Sequence, residues 1–141
     1  MNFKIVIDEI TIELNETWSK ALELKAKAEE VTVKEIIEDF TNLVKELWEN
    51  CEYIDKFGRW KGEWIERNGE KKIVIDNVTE GRLELNFEEF VRHCLYYYLR
   101  PYILATILQE TGGKGSIILR EDEMIIIDKK GLRKVKRIHL T

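Results

Sequence analysis

The chain has 141 residues, of which 44% are hydrophobic and 35% are charged. It is therefore long enough for one domain, or for a small module joined to a larger one, and apolar enough to bury a core. Residues 1–50 have 6 basic residues against 12 acidic ones, a net −6, whereas residues 51–141 have 17 against 15, a net +2. An acidic first third is a poor electrostatic match for DNA unless its partner surface is basic.

Several classes of protein are excluded. Cys51 and Cys94 are far apart and outside any C-x-x-C motif, so a zinc site or a disulfide framework is not implied, and we expect buried free thiols. The first ten residues lack the apolar core of a signal peptide. The most apolar region, residues 94–109, is interrupted by Arg100 and Pro101 and is too short for a membrane span. We expect a cytoplasmic protein with no membrane contact, and the charge-rich composition is typical of a thermophile.

The first half of the chain predicts one strand and two helices. Residues 10–14 alternate between apolar and polar side chains, as a strand does. Asn15 is the predicted N-cap of a first helix. Thr32 and Glu35 form a capping box, which predicts the start of a second helix. The apolar positions of the second helix recur at helical spacing: Ile36, Ile37, Phe40, Val44, Leu47 and Trp48.

The apolar face changes sides around Asp8 and Glu9. Apolar residues occupy odd positions in residues 3–7 and even positions in residues 10–14. A continuous strand cannot change face without an irregularity, so we expect a bulge or a break there. The strand at residues 10–14 then has no local hairpin partner, which predicts that it pairs with a second copy of the chain.

This order of elements resembles the ribbon-helix-helix DNA-binding proteins. The resemblance is carried by a short strand, a helix, the cap Thr32, and then Glu35, Ile36 and Ile37 at the start of the second helix. It covers about the first third of the chain. In that family, two chains pair their strands into an antiparallel ribbon that enters the DNA major groove. The resemblance therefore implies a homodimer that binds double-stranded DNA.

The resemblance also implies which residues contact DNA. The base-reading face consists of three strand residues, Glu9, Thr11 and Glu13. A phosphate contact lies at the start of the second helix and is formed by Thr32, Val33 and Lys34. Two of the three ribbon residues are acidic, where the family usually has basic or amide side chains. Glu30 occupies a turn position that is usually glycine, and Lys25 occupies a position that is usually aliphatic.

The second half predicts a hairpin, a long helix and a three-stranded meander. Asn68-Gly69 is a strong signal for a type I′ turn. The register that follows sets Arg67 opposite Glu70, Glu66 opposite Lys71, and Trp64 opposite Ile73. The core face is then expected to include Trp60, Trp64, Ile73 and Ile75.

Asn86 and Glu89 form a second capping box, and Gly112-Gly113 ends the long helix. Pro101 within it predicts a kink or two helices end to end. Three predicted strands follow, at residues 117–119, 124–127 and 132–140.

No constellation of residues predicts catalysis. Glu89 and His93 lie four residues apart, a spacing that suits a metal or an acid–base pair, but no second pair completes a site. The glycine-rich residues 112–116 follow a helix instead of opening one, so they do not form a phosphate loop. We expect no catalytic residue, no metal ligand and no cofactor. The aromatic residues of the second half either line a ligand pocket or pack into the core.

The last thirteen residues are basic. Six positive side chains occur among them: Lys129, Lys130, Arg133, Lys134, Lys136 and Arg137. Such a run is either a solvated edge strand or a phosphate-binding surface.

The sequence therefore predicts an α+β protein with a ribbon-helix-helix-like dimerisation module (β-α-α) at residues 1–50 and an antiparallel α+β domain at residues 51–141. The leading hypothesis is a homodimeric DNA-binding transcriptional regulator that is not an enzyme. The alternatives are a protein-interaction or adaptor protein that keeps the dimer fold without binding DNA, and a small-ligand sensor.

Overall fold

The computed structural model describes residues 2–77, 81–110 and 112, together with the backbone of three further strands between residues 116 and 136. The described elements are three helices and antiparallel strands, which confirms the predicted α+β class. None of the described helices has the length and apolar character needed to cross a membrane. In chain order the elements are β1 (Lys4–Ile7), β2 (Ile10–Glu13), α1 (Glu16–Glu29), α2 (Val33–Glu49), β3 (Glu52–Asp55), β4 (Gly58–Lys61), β5 (Glu63–Arg67), β6 (Glu70–Asn77), β7 (Gly81–Leu85), α3 (Phe87–Glu110), β8 (Ser116–Leu119), β9 (Glu123–Asp128) and β10 (Gly131–Lys136).

β1 and β2 form an antiparallel hairpin that is closed by a two-residue turn, Asp8 and Glu9. The expectation that residues 10–14 form a strand without a local partner is therefore wrong. In this register an odd position always faces an even one, as Ile5 faces Ile12. Because facing residues point to the same side of a sheet, the apolar face stays continuous although its numbering changes parity.

The predicted helix caps are confirmed. The side chain of Asn15 accepts a hydrogen bond from the first turn of α1 at 2.9 Å, and the hydroxyl of Thr32 accepts one from the backbone N–H of Glu35 at 3.1 Å. Asn86 and Glu89 form a reciprocal capping box, with bonds of 2.9 and 3.0 Å. The three helices therefore begin where the capping residues predict.

The β5–β6 hairpin has the predicted register. All three predicted pairs are present, including Trp64 opposite Ile73. Asn68 and Gly69 have φ angles of 54° and 78°, as both central residues of a type I′ turn require. β7 adds to the free side of β6, so β5, β6 and β7 form a three-stranded sheet.

Trp60 does not lie on the core face, which corrects the prediction for this residue. Its side chain is 47% exposed, whereas Ile73 and Ile75 are fully buried. β4 pairs with β3, and β5 belongs to a different sheet. The alternation of faces is therefore interrupted at Gly62, and Trp60 is on a separate hairpin.

The buried core draws on both halves of the chain. Helices α1 and α2 pack against α3, where the rings of Trp18 and Tyr96 lie 5.7 Å apart and those of Phe40 and Tyr98 lie 5.2 Å apart. The division into segments 1–50 and 51–141 stays a prediction. Within the described residues, the apolar faces of both N-terminal helices are covered by the same chain.

The long helix α3 is continuous from Phe87 to Glu110 with Pro101 inside it, so the alternative of two helices end to end is wrong. The three predicted strands that follow form a meander in the order β10-β9-β8. The last of these strands was predicted to reach residue 140, and residues 137–141 lie outside the described residues.

Candidate interaction surfaces

The end of the β3–β4 hairpin is built around one carboxylate. Oδ1 of Asp55 accepts a hydrogen bond from the backbone N–H of Phe57 at 2.7 Å and another from Nε1 of Trp60 at 2.9 Å. Asp suits the first of these bonds because its short side chain can close a turn on its own backbone. Gly58, with φ 131°, supplies a conformation that other residues rarely adopt. We call Asp55, Lys56, Phe57 and Trp60 the hairpin tip.

The hairpin tip presents two aromatic rings to solvent. Phe57 is 65% exposed and Trp60 is 47% exposed. The one polar atom of the Trp60 side chain is already bonded to Asp55, so the exposed part of this ring is apolar. Contiguous exposed apolar surface marks interaction sites, whereas single exposed apolar side chains are common. The hairpin tip has two exposed rings within four residues of the chain.

The base of this hairpin is fixed to the core. Tyr53 is 3% exposed, and its hydroxyl donates to the backbone carbonyl of Asp76 at 3.2 Å. The carbonyl oxygen of Ile54 lies 2.9 Å from Nε2 of His93, which is fully buried. The base of the hairpin is therefore held by a backbone carbonyl on β6 and by a buried side chain on α3.

The cations beside the hairpin tip have partners within the chain. Arg59 bridges two carboxylates, with Nη2 2.9 Å from Oε1 of Glu52 and Nη1 3.4 Å from Oε2 of Glu46. The bond to Arg59 holds the pKa of Glu52 below its usual range, and the bond to Glu52 raises the pKa of Arg59. Nζ of Lys61 donates to the backbone carbonyl of Asn50 at 2.8 Å. Of these two cations, Arg59 is therefore paired in charge, and Lys61 is hydrogen-bonded to a neutral group.

The residues predicted to contact DNA lie in three places. The predicted base-reading residues are all exposed on the β1–β2 hairpin: Glu9, Thr11 and Glu13. At the start of α2, Thr32 and Lys34 are exposed and Val33 is partly buried. No hydrogen bond or ion pair among the described residues connects these two groups. Whether either group contacts DNA stays a prediction.

The basic tail falls partly on β10, which is an edge strand of its sheet as far as the described residues go. In the register with β9, Arg133 faces Ile126 and Lys134 faces Ile125. Lys136 lies at the end of β10, opposite Glu123. The other three basic residues lie outside the described residues: Lys129, Lys130 and Arg137.

Glu89 and His93 both have structural partners. Oε1 of Glu89 accepts the cap bond from the backbone N–H of Asn86. The ring of His93 packs beside those of Tyr53 and Tyr97, with centroid distances of 6.4 and 5.0 Å. In the part of the chain that the structure describes, no three His, Cys, Asp or Glu side chains are grouped so as to hold a metal.

Both cysteines are buried and unpaired, as predicted. Burial is the main cause that raises the pKa of each thiol. A buried thiol with a raised pKa is a poor nucleophile, because the thiolate is the reactive form. Cys51 and Cys94 therefore act as small core residues.

The hairpin tip was not identified from the sequence. Asp55 and Gly58 occupy the first and fourth positions of a turn, where Asp and Gly are both favoured in a type I turn, and this signal predicts the hairpin. No comparable short sequence pattern predicts that the Trp60 side chain is exposed.

Comparisons of the chain with protein-family models, with curated proteins and with solved structures gave no match. The ribbon-helix-helix resemblance accordingly stays a prediction.

Proposed function

We propose that the protein is a non-enzymatic interaction module that binds a protein partner through the hairpin tip. The observation that carries the proposal is that Phe57 and Trp60 are exposed while Asp55 bonds to the side-chain N–H of Trp60 and to the backbone N–H of Phe57. Binding by groups that are already ordered loses less conformational entropy than binding by mobile side chains. A few aromatic residues of this kind supply most of the binding energy in typical interfaces.

The expected partner is a protein segment with apolar side chains. A site for single-stranded nucleic acid combines aromatic rings with positive charge along the backbone path. Here Arg59 is shared between two carboxylates, and Lys61 is bonded to a backbone carbonyl. Among the described residues near the tip, Lys56 and Lys61 have no carboxylate within ion-pair distance, and Arg59 has two. The aromatic surface therefore suits an apolar protein segment better than a phosphate backbone.

Selection from a peptide-display library against the full chain tests this proposal. We expect enriched peptides with aromatic or aliphatic side chains, and weakening of their binding by about 30-fold for Phe57→Ser or Trp60→Ser, as for interface hot spots. The matched control is Leu108→Ser, which removes an exposed apolar side chain from α3. Selected peptides that bind the Phe57→Ser/Trp60→Ser double variant with unchanged affinity would contradict the proposal. If a single-stranded oligonucleotide bound the chain and this binding were lost in the same variants, the partner would be a nucleic acid and not a protein.

A second candidate function is the ribbon-helix-helix-like DNA-binding regulator. It is favoured by the position of Arg133, Lys134 and Lys136 on an edge strand. Each phosphate contact contributes roughly 0.9 to the slope of log affinity against log salt, so a triple glutamine variant should flatten the slope by up to about three. Replacement of Glu9 and Glu13 by glutamine should tighten binding by relieving repulsion.

Two measurements test the second candidate. Selection from random duplex DNA should enrich a short palindrome if the chain is a dimeric regulator. An unchanged affinity and slope in the tail variant would indicate that β10 is only a solvated edge.

A further inference from the structure

The outer edge of β1 has a defined set of backbone groups. The backbone N–H of Leu14 donates to the carbonyl of Phe3 at 2.9 Å, which extends the β1–β2 register by one pair. In an antiparallel hairpin, hydrogen-bonded and non-hydrogen-bonded pairs alternate. Ile5 therefore bonds across to β2, whereas Lys4 and Val6 direct their N–H and C=O groups away from it. The sheet that contains β1 has two strands within the described residues, so these groups have no strand partner there.

We propose that two copies of the chain associate by antiparallel pairing of their β1 strands, centred on Val6. Symmetric pairing sets Val6 opposite Val6 of the second copy, and it sets Lys4 opposite Asp8 of the second copy twice. Val6 is 57% exposed, and the side chain of Asp8 is 66% exposed. Opposite charges and β-branched residues that face each other across strands stabilise a sheet. The edge is therefore complementary to itself in charge, and it sets two β-branched side chains opposite each other.

Asp8 contributes to this pairing through its side-chain carboxylate and not through backbone hydrogen bonds. Its backbone lies in the turn, with φ 53°, and is not part of β1. Within one chain this carboxylate lies 3.4 Å from Nζ of Lys45, in an exposed ion pair. Lys4 is exposed and has no ion pair among the described residues. Within its own hairpin Lys4 faces Glu13. Pairing of the two copies would set a second carboxylate, that of Asp8, opposite each Lys4.

The outer edge of β2 lacks this complementarity. The same alternation directs the backbone groups of Thr11 and Glu13 away from β1. Symmetric pairing centred on Thr11 would set Glu9 opposite Glu13 of the second copy, and like charges directly opposite destabilise a strand pair. The interface is therefore assigned to β1, and not to the strand that the ribbon-helix-helix resemblance implies.

An exposed lysine on an edge strand can instead prevent edge-to-edge association. A lysine prevents association only if the approaching copy places no opposite charge beside it. On β1, the symmetric register places Asp8 of the second copy opposite each Lys4. Lys4 therefore disfavours pairing with edges that lack such a carboxylate, and favours pairing with a second copy in this register.

The proposal is tested by the mass of the full chain in solution, measured by sedimentation over a range of concentrations. We expect a dimer. Val6→Pro removes an N–H that points away from β2, so it leaves the β1–β2 bonds intact, as proline on an edge strand can. It should weaken the dimer by about 30-fold, because two symmetry-related hydrogen bonds are lost. Thr11→Pro makes the matched change on the β2 edge and should leave the dimer unchanged.

Charge exchange gives an independent readout. Lys4→Glu or Asp8→Lys alone makes both symmetric pairs repulsive and should weaken the dimer about tenfold, whereas the double variant should restore it. Circular dichroism checks that each variant is folded. A chain that is monomeric at all concentrations, or a dimer that survives Val6→Pro and is lost with Thr11→Pro, would overturn the proposal. Neither result would bear on peptide binding by the hairpin tip, which lies on another sheet.

Discussion

Replacement of Glu30 by glycine is expected to stabilise the fold. Glu30 follows α1 in the left-handed conformation, with φ 58° and ψ 41°. Its N–H donates to the carbonyl of Lys27 at 3.2 Å, and the N–H of Val31 donates to that of Ala26 at 3.0 Å. This is the Schellman pattern, in which glycine is preferred. A side chain in this conformation costs about 1–2 kcal/mol, and glycine loses about 0.4–1 kcal/mol more backbone entropy on folding. The free energy of unfolding should therefore rise by about 1 kcal/mol.

Guanidinium chloride unfolding measures this gain. Glu30→Ala is the control, because it removes the charge and keeps the Cβ that the left-handed conformation disfavours. It should gain at most a few tenths of a kcal/mol, from removal of a negative charge at a helix C-terminus. If Glu30→Gly were no more stable than Glu30→Ala, the backbone conformation would not be the cause.

Three further substitutions probe the fold and the hairpin tip. Gly62→Ala would bring a Cβ within 2.9 Å of the Ile73 side chain, and thermal melting should show a loss of about 1–3 kcal/mol. Ile12→Glu buries an unpaired charge at a fully buried position, so circular dichroism should show no cooperative unfolding transition. Asp55→Ala removes the acceptor for Trp60; calorimetry should show about tenfold weaker binding of selected peptides, with little change in melting temperature, and an unchanged affinity would refute preorganisation.

The β5–β6 hairpin was predictable to the residue because its register depends on local chemistry alone. Asn68-Gly69 tolerates the positive φ angles that a two-residue turn requires, and such a turn fixes every pair outward from it. The helix starts were predictable for the same reason, since Thr32 and Asn86 bond to N–H groups within their own helices.

The β1–β2 hairpin was missed because its turn lacks the usual residues. Asp8 adopts φ 53° without a glycine beside it. A change of parity in the apolar positions is produced equally by a bulge, by a break and by a two-residue turn. Only the pairing of Ile5 with Ile12 separates these possibilities, and that contact is not encoded in the local pattern.

Lys25 occupies a position that is usually aliphatic in ribbon-helix-helix proteins, and the sequence alone does not explain this difference. Its Nζ lies 4.6 Å from the ring centroid of Tyr98 and 5.2 Å from that of Tyr102, and 3.1 Å from a carboxylate oxygen of Glu29. Burial raises the pKa of Tyr98 to about 12, so this ring is neutral at physiological pH. A lysine at an otherwise apolar position of α1 is satisfied by cation–π contacts with α3, a helix that begins far along the chain.

The two proposed surfaces together predict a bivalent protein. The β1 edge and the hairpin tip share no residue and belong to different sheets, so a dimer formed through β1 carries two tips. A partner with two tip-binding segments then binds the second tip intramolecularly, and a linker that spans the tips raises the apparent affinity by about 10²–10⁴. Calorimetry with single and tandem copies of one selected peptide measures this gain. Val6→Pro should abolish the gain from the tandem peptide and leave the affinity of the single peptide unchanged. A gain that persists in Val6→Pro would mean that the two tips are not brought together by the β1 edge.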